Sequence, residues 1–325
     1  MVMGQDGRQG PAGVMQDLGA LRDGDSSARR INATGRIVGG EEAGPEGPWM
    51  ALLWTRGNAP RDLGTFGSTE AGANGINAGG QVVGYSVDAK EHMRAFLWGP
   101  DAGLRNLGTL GGEESEAMAI NDAGQIAGWA DDGMSRSHAF RWTPEGGMVD
   151  LGTLGGARSE ANGINAAGHV VGEAEIADGC SHAFLWMPET GMRDLGAFDG
   201  DASIAYDINI HGQVVGSSDD RDGNQRAFLW SDADGMVELG TLGGTWSSAH
   251  GINDAGQVVG TASDSEGRHR AFLWTLSEGM QDLDTLGGDD ADAWDINAAG
   301  QVVGGSYTAE ECKHAFVWTP FRRPR

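Results

Sequence analysis

The sequence has almost no cysteine: Cys180 and Cys312 are the two in 325 residues. They stand alone and far apart, so neither a disulfide framework nor a Cys-x-x-Cys metal site is available, and both read as free thiols. Basic residues are scarce as well, with 22 Lys and Arg against 47 Asp and Glu, a net charge of -25. Binding of nucleic-acid phosphates needs clustered Lys and Arg, so DNA, RNA and anionic membrane are not expected as partners. The surplus of acid reads as solubilising charge, with attraction of a cation or a basic protein as its other use. No run of eighteen apolar residues occurs, so no membrane span is expected. Met1 to Gly13 lacks the apolar core of a signal peptide. With the free thiols, this tilts the expected compartment towards the cytoplasm.

What the sequence does have is period. Trp54, Trp98, Trp142, Trp186, Trp230, Trp274 and Trp318 fall 44 residues apart. Ile-Asn pairs keep step with them, beginning at Ile31, Ile76, Ile120, Ile164, Ile208, Ile252 and Ile296. A period of this length from end to end argues for one closed body, a single domain over residues 1–325. The 56 glycines sit in register with the repeat and so read as turn chemistry, not low complexity.

Within one unit, Glu116 to Asn121, Gln125 to Ala130, His138 to Trp142 and Met148 to Leu151 read as four short strands, A to D. Asn121-Asp122-Ala123-Gly124 is a tight A–B hairpin, its Asn closing an Asx-turn and its Gly accepting positive φ. Alternation puts Phe140 and Trp142 on one sheet face and Ala139 on the other, so each small sheet needs cover on both sides. Seven sheets packed around an axis supply that cover. Val14 to Leu18 reads as a D strand lacking its A, B and C, and Ala315 to Trp318 as a C strand lacking its D. Pairing the two leaves no free edge, which a linear β-solenoid would not explain. The expected fold is all-β, a seven-bladed β-propeller of four-stranded antiparallel blades. Its ring is closed by the N-terminal D strand pairing with the C-terminal A, B and C strands.

The tripeptides His138-Ala139-Phe140, His182-Ala183-Phe184 and His314-Ala315-Phe316 resemble the HAF repeat. So do Asp150-Leu151-Gly152-Thr153-Leu154-Gly155-Gly156 and Gly163-Ile164-Asn165. The resemblance covers nearly the whole chain. It implies a β-propeller and an extracellular location, and it assigns no reaction. Arg94, Arg226 and Arg270 replace the His, so that position is expected to supply a structural cation or hydrogen bond.

A–B and C–D turns must emerge at one end of the ring and B–C and D–A connections at the other, where segments such as Ser217 to Gln225 vary between repeats. The two positions before each Ile-Asn pair, on inner strand A, are Arg29-Arg30, Asn74-Gly75, Met118-Ala119, Asn162-Gly163, Tyr206-Asp207, His250-Gly251 and Trp294-Asp295. They are lopsided. Tyr206, His250 and Trp294 fall on consecutive blades, flanked by Asp207 and Asp295, with Trp246 nearby and Arg29 and Arg30 beyond the closure. Such a group suits stacking of a sugar or planar ring and pairing with a carboxylate, with His250 near neutral pKa between two carboxylates. Packing of an axial plug is the competing reading.

The favoured function is recognition of a small or glycan-like ligand at the axial mouth on the B–C and D–A face. Ligand contacts would come from Trp246, Trp294, Arg29, Arg30, Asn74, Met118 and Asn162. The alternative is an enzyme of lyase, hydrolase or cyclase type, with His250 as acid or base, Tyr206 as proton donor and Asp207 or Asp295 orienting. A third is a protein-interaction scaffold on the acidic loop face. No cofactor or metal is expected: Asp219 to Asn224 has oxygen ligands but lacks the distal Glu of a calcium loop. Glu41-Glu42 and Asp131-Asp132 read as exposed charge, and the chain as a monomer.

Overall fold

A computed structural model describes residues 12–22, 24–44 and 47–321 of the chain. The glycine-rich lead up to residue 11, read above for an export signal, lies outside them. Among the described residues every helix or strand element is a strand, and the strands form seven four-stranded antiparallel sheets. Blades are numbered here by their A strands, from Ser26–Ile31 in blade 1 to Gly287–Ile296 in blade 7. Blade 3 comprises Gly111–Ile120, Ile126–Asp132, Ser137–Thr143 and Gly147–Asp150 as A to D. In blade 7 the D strand is the N-terminal Gly13–Asp17, paired with Lys313–Pro320 so that Asp17 faces Phe316. The expected closure is the observed one.

The core is made between blades. Phe140 and Trp142 of blade 3 pack with Val83 and Ala95 of blade 2, while Ala139 packs on blade 4. Phe96, Phe140, Phe184, Phe228, Phe272 and Phe316 are all fully buried, each contributing about 1.5–3 kcal/mol by leaving water. Four of the outer tryptophans are roofed from the preceding blade. Arg61, Arg105, Arg141 and Arg193 lie 5.0, 5.2, 5.5 and 5.1 Å over Trp98, Trp142, Trp186 and Trp230.

The hairpin asparagines do two jobs. Asn121 Oδ1 accepts from the backbone N–H groups of Ala123 and Gln125, closing the Asx-turn, and Gly124 takes φ 75°. Its Nδ2 donates to the carbonyl of Asn165 in the next blade at 2.9 Å. The same bond runs from Asn32 to Asn77, Asn77 to Asn121, Asn165 to Asn209, Asn209 to Asn253, Asn253 to Asn297 and Asn297 back to Asn32. A closed belt of amides thus encircles the axis at the A–B end.

The His or Arg of the tripeptide latches strand C to strand D. His138, His182 and His314 reach Asp150, Asp194 and Asp17 at 2.8, 3.0 and 2.7 Å, and Arg270 reaches Asp282 at 2.9 Å. Arg94 and Arg226, whose D strands offer Asn106 and Glu238, turn instead to Asp88 and Asp220, both at 2.9 Å.

The reading of Glu41 as exposed charge is corrected. Glu41 is fully buried and accepts the backbone N–H groups of Leu21 and Arg22, both at 2.6 Å, so it anchors the segment joining the closing strand to blade 1. The Asp219–Asn224 segment is an ordinary B–C turn. Asp220 accepts from the N–H groups of Asp222 and Asn224 and from Arg226 Nε, as Asp132 does from Met134 and Arg136 in blade 3. Its oxygens are therefore spent, and no cluster of three metal-ligating side chains exists among the described residues. Cys180 and Cys312 are free thiols.

Candidate functional site

Seven of the candidate residues, one per blade, sit on a bulge. In each of the seven A strands the register against strand B slips by one, between Ala28 and Arg30, Ala73 and Gly75, Ala117 and Ala119, Ala161 and Gly163, Ala205 and Asp207, Ala249 and Gly251, and Ala293 and Asp295. The residues left unpaired are Arg29, Asn74, Met118, Asn162, Tyr206, His250 and Trp294. A bulge frees a residue from the ladder and re-aims its side chain, here next to the axis. Along that axis the ring of bulges lies closer to the A–B hairpins than to the B–C mouth, because Ile252 and its equivalents already end strand A.

Four of these residues form one continuous stack across the closure. Tyr206 meets His250 edge-on at 5.4 Å, His250 lies on Trp294 at 4.4 Å and 24°, and Arg29 covers the other face of Trp294 at 4.5 Å. The aromatic faces expected to receive a ligand are thus occupied by one another. His250 Nδ1 donates to the Ala293 carbonyl at 2.8 Å, and burial pushes its pKa down to about 4. The expectation of a near-neutral imidazole between two carboxylates is therefore corrected.

Asp207 and Asp295 hold backbone instead. Asp295 Oδ2 accepts the Ile31 N–H at 2.8 Å and Asp207 Oδ2 the Ile252 N–H at 3.0 Å, each tying its blade to the next. Burial raises both carboxyls, Asp207 to about 6, against the pull of Arg30. Arg30 Nη1 stands 3.8 Å from Asp295, and both Asp residues line an axial cavity of about 120 Å³ with Arg30, Gly75 and Ala119.

The remaining candidates divide. Asn162 Nδ2 donates to the Ala205 carbonyl at 3.0 Å, and Asn74 Nδ2 to Glu116 Oε1 at 2.8 Å, with Met118 Sδ 3.7 Å away. Trp246 leaves the group: four residues before His250, it stacks on His269 at 5.2 Å and donates from Nε1 to Gln225 at 2.9 Å. It does not face Trp294 as half of a clamp.

Three groups that the Ile-Asn comparison missed lie one step nearer the mouth. Glu116 accepts from Asn74 and from Trp129 Nε1, and burial raises its pKa. Glu160 and Glu173 face each other across the A–B pairing of blade 4, where burial and then Glu160 lift Glu173 to about 7. Tyr85 lies opposite Gly72, and burial pushes its phenol up to about 12. All occupy the position two residues before the bulge or its strand-B partner, so reading the repeat one step further would have found them.

Two groups in the channel lack partners: the buried Nε1 of Trp294 has no hydrogen bond, and Arg29 stands open. Among the described residues Arg29 has neither an ion pair nor a hydrogen bond. It is exposed to the channel although protein surrounds it, which lowers its pKa without discharging it. With Trp49, Tyr85, Asn74, Gly40 and Gly72 it lines a second cavity of about 200 Å³ between blades 1 and 2.

A direct check on the buried imidazole is its titration by NMR. Because the folded pKa lies below the unfolded one, protonation favours unfolding. His250 is expected to stay neutral through pH 5–8, and stability to fall as pH drops from about 6.5 towards 4. An imidazole titrating near 7 would contradict this burial.

No family model matches the chain, and no curated protein matches it. Solved structures do. A puromycin-hydrolyzing peptidase from Mycobacterium tuberculosis is similar over 93% of this chain, at 12% identity and a TM-score of 0.65. A puromycin hydrolase S511A mutant complexed with PGG is similar over 93%, at 14% identity and a TM-score of 0.62. This chain spans only 53% of each of those peptidases. The β-propeller domain of the Trilobed protease from Pyrococcus furiosus, which has an open velcro topology, matches 92% of this chain with 100% of its own length, at 11% identity and a TM-score of 0.59. At such identities the likeness establishes the fold alone. The chain is similar to known β-propellers, with a ring closed by its own N-terminal strand.

Proposed function

We propose that this chain is a ligand-recognition β-propeller that takes a small or glycan-like molecule in its axial channel, on the side where the B–C and D–A loops open, with Arg29 as anchor. The observation that carries the reading is the unpaired guanidinium. A cation held against Trp294 without a counter-ion leaves its hydrogen-bond donors free for an incoming acceptor, and charge-assisted bonds of that kind are the strong ones. Trp49, 37% exposed beside the same cavity, supplies the open aromatic face that the stacked Trp294 and the displaced Trp246 do not. The HAF-repeat resemblance is compatible with such a role. No nucleic acid or membrane is expected as partner, and the module acts as a monomer.

The test is ligand-observed NMR with a panel of neutral sugars, sugar acids and small aromatic acids. At least one class is expected to bind and to lose tenfold or more in affinity in Arg29→Ala. A panel that ignores the protein, or binds the variant equally well, would sink the reading.

A second reading is favoured by one observation. Glu160 and Glu173 form a facing carboxylate pair with one member near pKa 7, beside Tyr206, whose phenol burial pushes up. That pair, rather than His250, is where acid–base turnover would be centred.

A further inference from the structure

The seven blade interfaces are alike in plan but not in filling. The residue two before the bulge is Glu116, Glu160, Ile204, Ser248 or Asp292 in blades 3 to 7, and its strand-B partner is Trp129, Glu173, Ser217, Thr261 or Gly305. At the Gly305 partner the space is taken by Lys313, whose Nζ reaches Asp292 at 2.8 Å. Blade 1 pairs Ser27 with Gly40, and blade 2 pairs Gly72 with Tyr85. Small residues on both sides leave the cleft between blades 1 and 2 open.

The glycines also set the aromatic walls. A Cβ on Gly40 would come within 2.8 Å of Trp49 Cε3, and one on Gly72 within 2.5 Å of Tyr85 Cε1. Each ring thus lies against bare backbone. Between the rings the floor carries Arg29, exposed and unpaired, and Asn74. Asn74 spends its Nδ2 on Glu116 and the Ala117 carbonyl, so its Oδ1 remains to accept. Tyr85 Oη reaches Glu70 Oε1 at 3.4 Å towards the rim.

Resting on the axial reading above, we infer that the blade 1–blade 2 cleft is a binding site for a carboxylated monosaccharide of the uronic-acid class. The cavity of about 200 Å³ is smaller than the ~300–1,000 Å³ of most ligand pockets, which limits its occupant to a single small ring. A sugar's apolar face packs on Trp49 or Tyr85, the carboxylate is met by the Arg29 fork, and a ring hydroxyl donates to Asn74 Oδ1. Arg30 adds positive potential from the adjacent position, although its own guanidinium is turned towards Asp295. In a chain of charge -25 the two arginines bring positive charge to this cleft, although Glu116 and Glu70 lie near it.

Calorimetric titration of the full chain with D-glucuronate, D-glucose and acetate decides the point. Glucuronate is expected to bind at least tenfold more tightly than glucose, and acetate more weakly than either. Arg29→Ala should erase the preference for glucuronate over glucose, Arg29→Lys should restore it in part, and Trp49→Ala should weaken both sugars alike, with circular dichroism confirming folded variants. Glucose binding as well as glucuronate in the native chain would overturn the ligand class while leaving the axial-ligand reading in place. A preference that survives Arg29→Ala, or no binding of glucuronate, would overturn the site itself.

Discussion

A chain lacking Gly13–Asp17 is expected to melt well below the full chain and to associate in solution. The strand supplies five register pairs to Lys313–Pro320, and each ladder bond contributes ~1 kcal/mol net. It also brings Met15 onto the apolar cluster formed by blades 6 and 7, and Asp17 onto His314 at 2.7 Å. Without it, the strand holding Phe316 and Trp318 becomes an unpaired apolar edge of the kind that recruits other chains. Scanning calorimetry and size-exclusion chromatography measure both effects, and a synthetic peptide of residues 12–18 should reverse them by refilling the edge. An unchanged melting point in a monomeric truncated chain would show that closure contributes nothing.

The second large effect is expected from a single methyl group. Gly172 lies on strand B opposite Ala161, where the bulge presses strand A against it, and a Cβ there would stand 1.9 Å from the Glu160 carbonyl oxygen. Backbone cannot move aside as a side-chain tip does, so Gly172→Ala should cost ~3 kcal/mol or more. Gly128 and Gly260 meet the same obstacle at 2.0 Å, which makes the constraint a property of the repeat. Chemical denaturation of Gly172→Ala against Gly179→Ala separates this clash from the general effect of losing a glycine. Gly179 has no atom within 4 Å of the added Cβ but has φ 92°, so its cost comes from backbone conformation. If Gly172→Ala proved as stable as the native chain, the close approach at the bulge would be wrong.

How far the sequence was legible follows from what each feature depends on. The blades, their order and the closing strand depend on period and alternation, and Trp142, Ile120 and Val14 announce them. The bulge does not. It inserts one residue in register with every repeat, leaving the 44-residue spacing untouched, so nothing in the period distinguishes a bulged strand from a regular one. Tyr206, His250, Trp294 and Arg29 could be gathered at the axis by counting. That they would stack on one another, and that His250 would donate its hydrogen bond to the Ala293 carbonyl, depends on side-chain direction across blade boundaries. Glu41 was misread because its partners are backbone N–H groups in the segment before blade 1, which no residue type advertises. The open cleft was missed for the opposite reason: it is defined by the side chains that Gly40 and Gly72 lack.

The amide belt has a consequence for how such a chain can change. Each hairpin asparagine reaches the carbonyl of the next at 2.9–3.3 Å, and the last reaches the first. No link is privileged, so the belt acts as a counting gauge that is satisfied by one number of blades. Gaining or losing a whole repeat would alter every wedge angle at once and strain all the links together. Residues outside the belt can change without touching its links, whereas the number of repeats is held by all of them together.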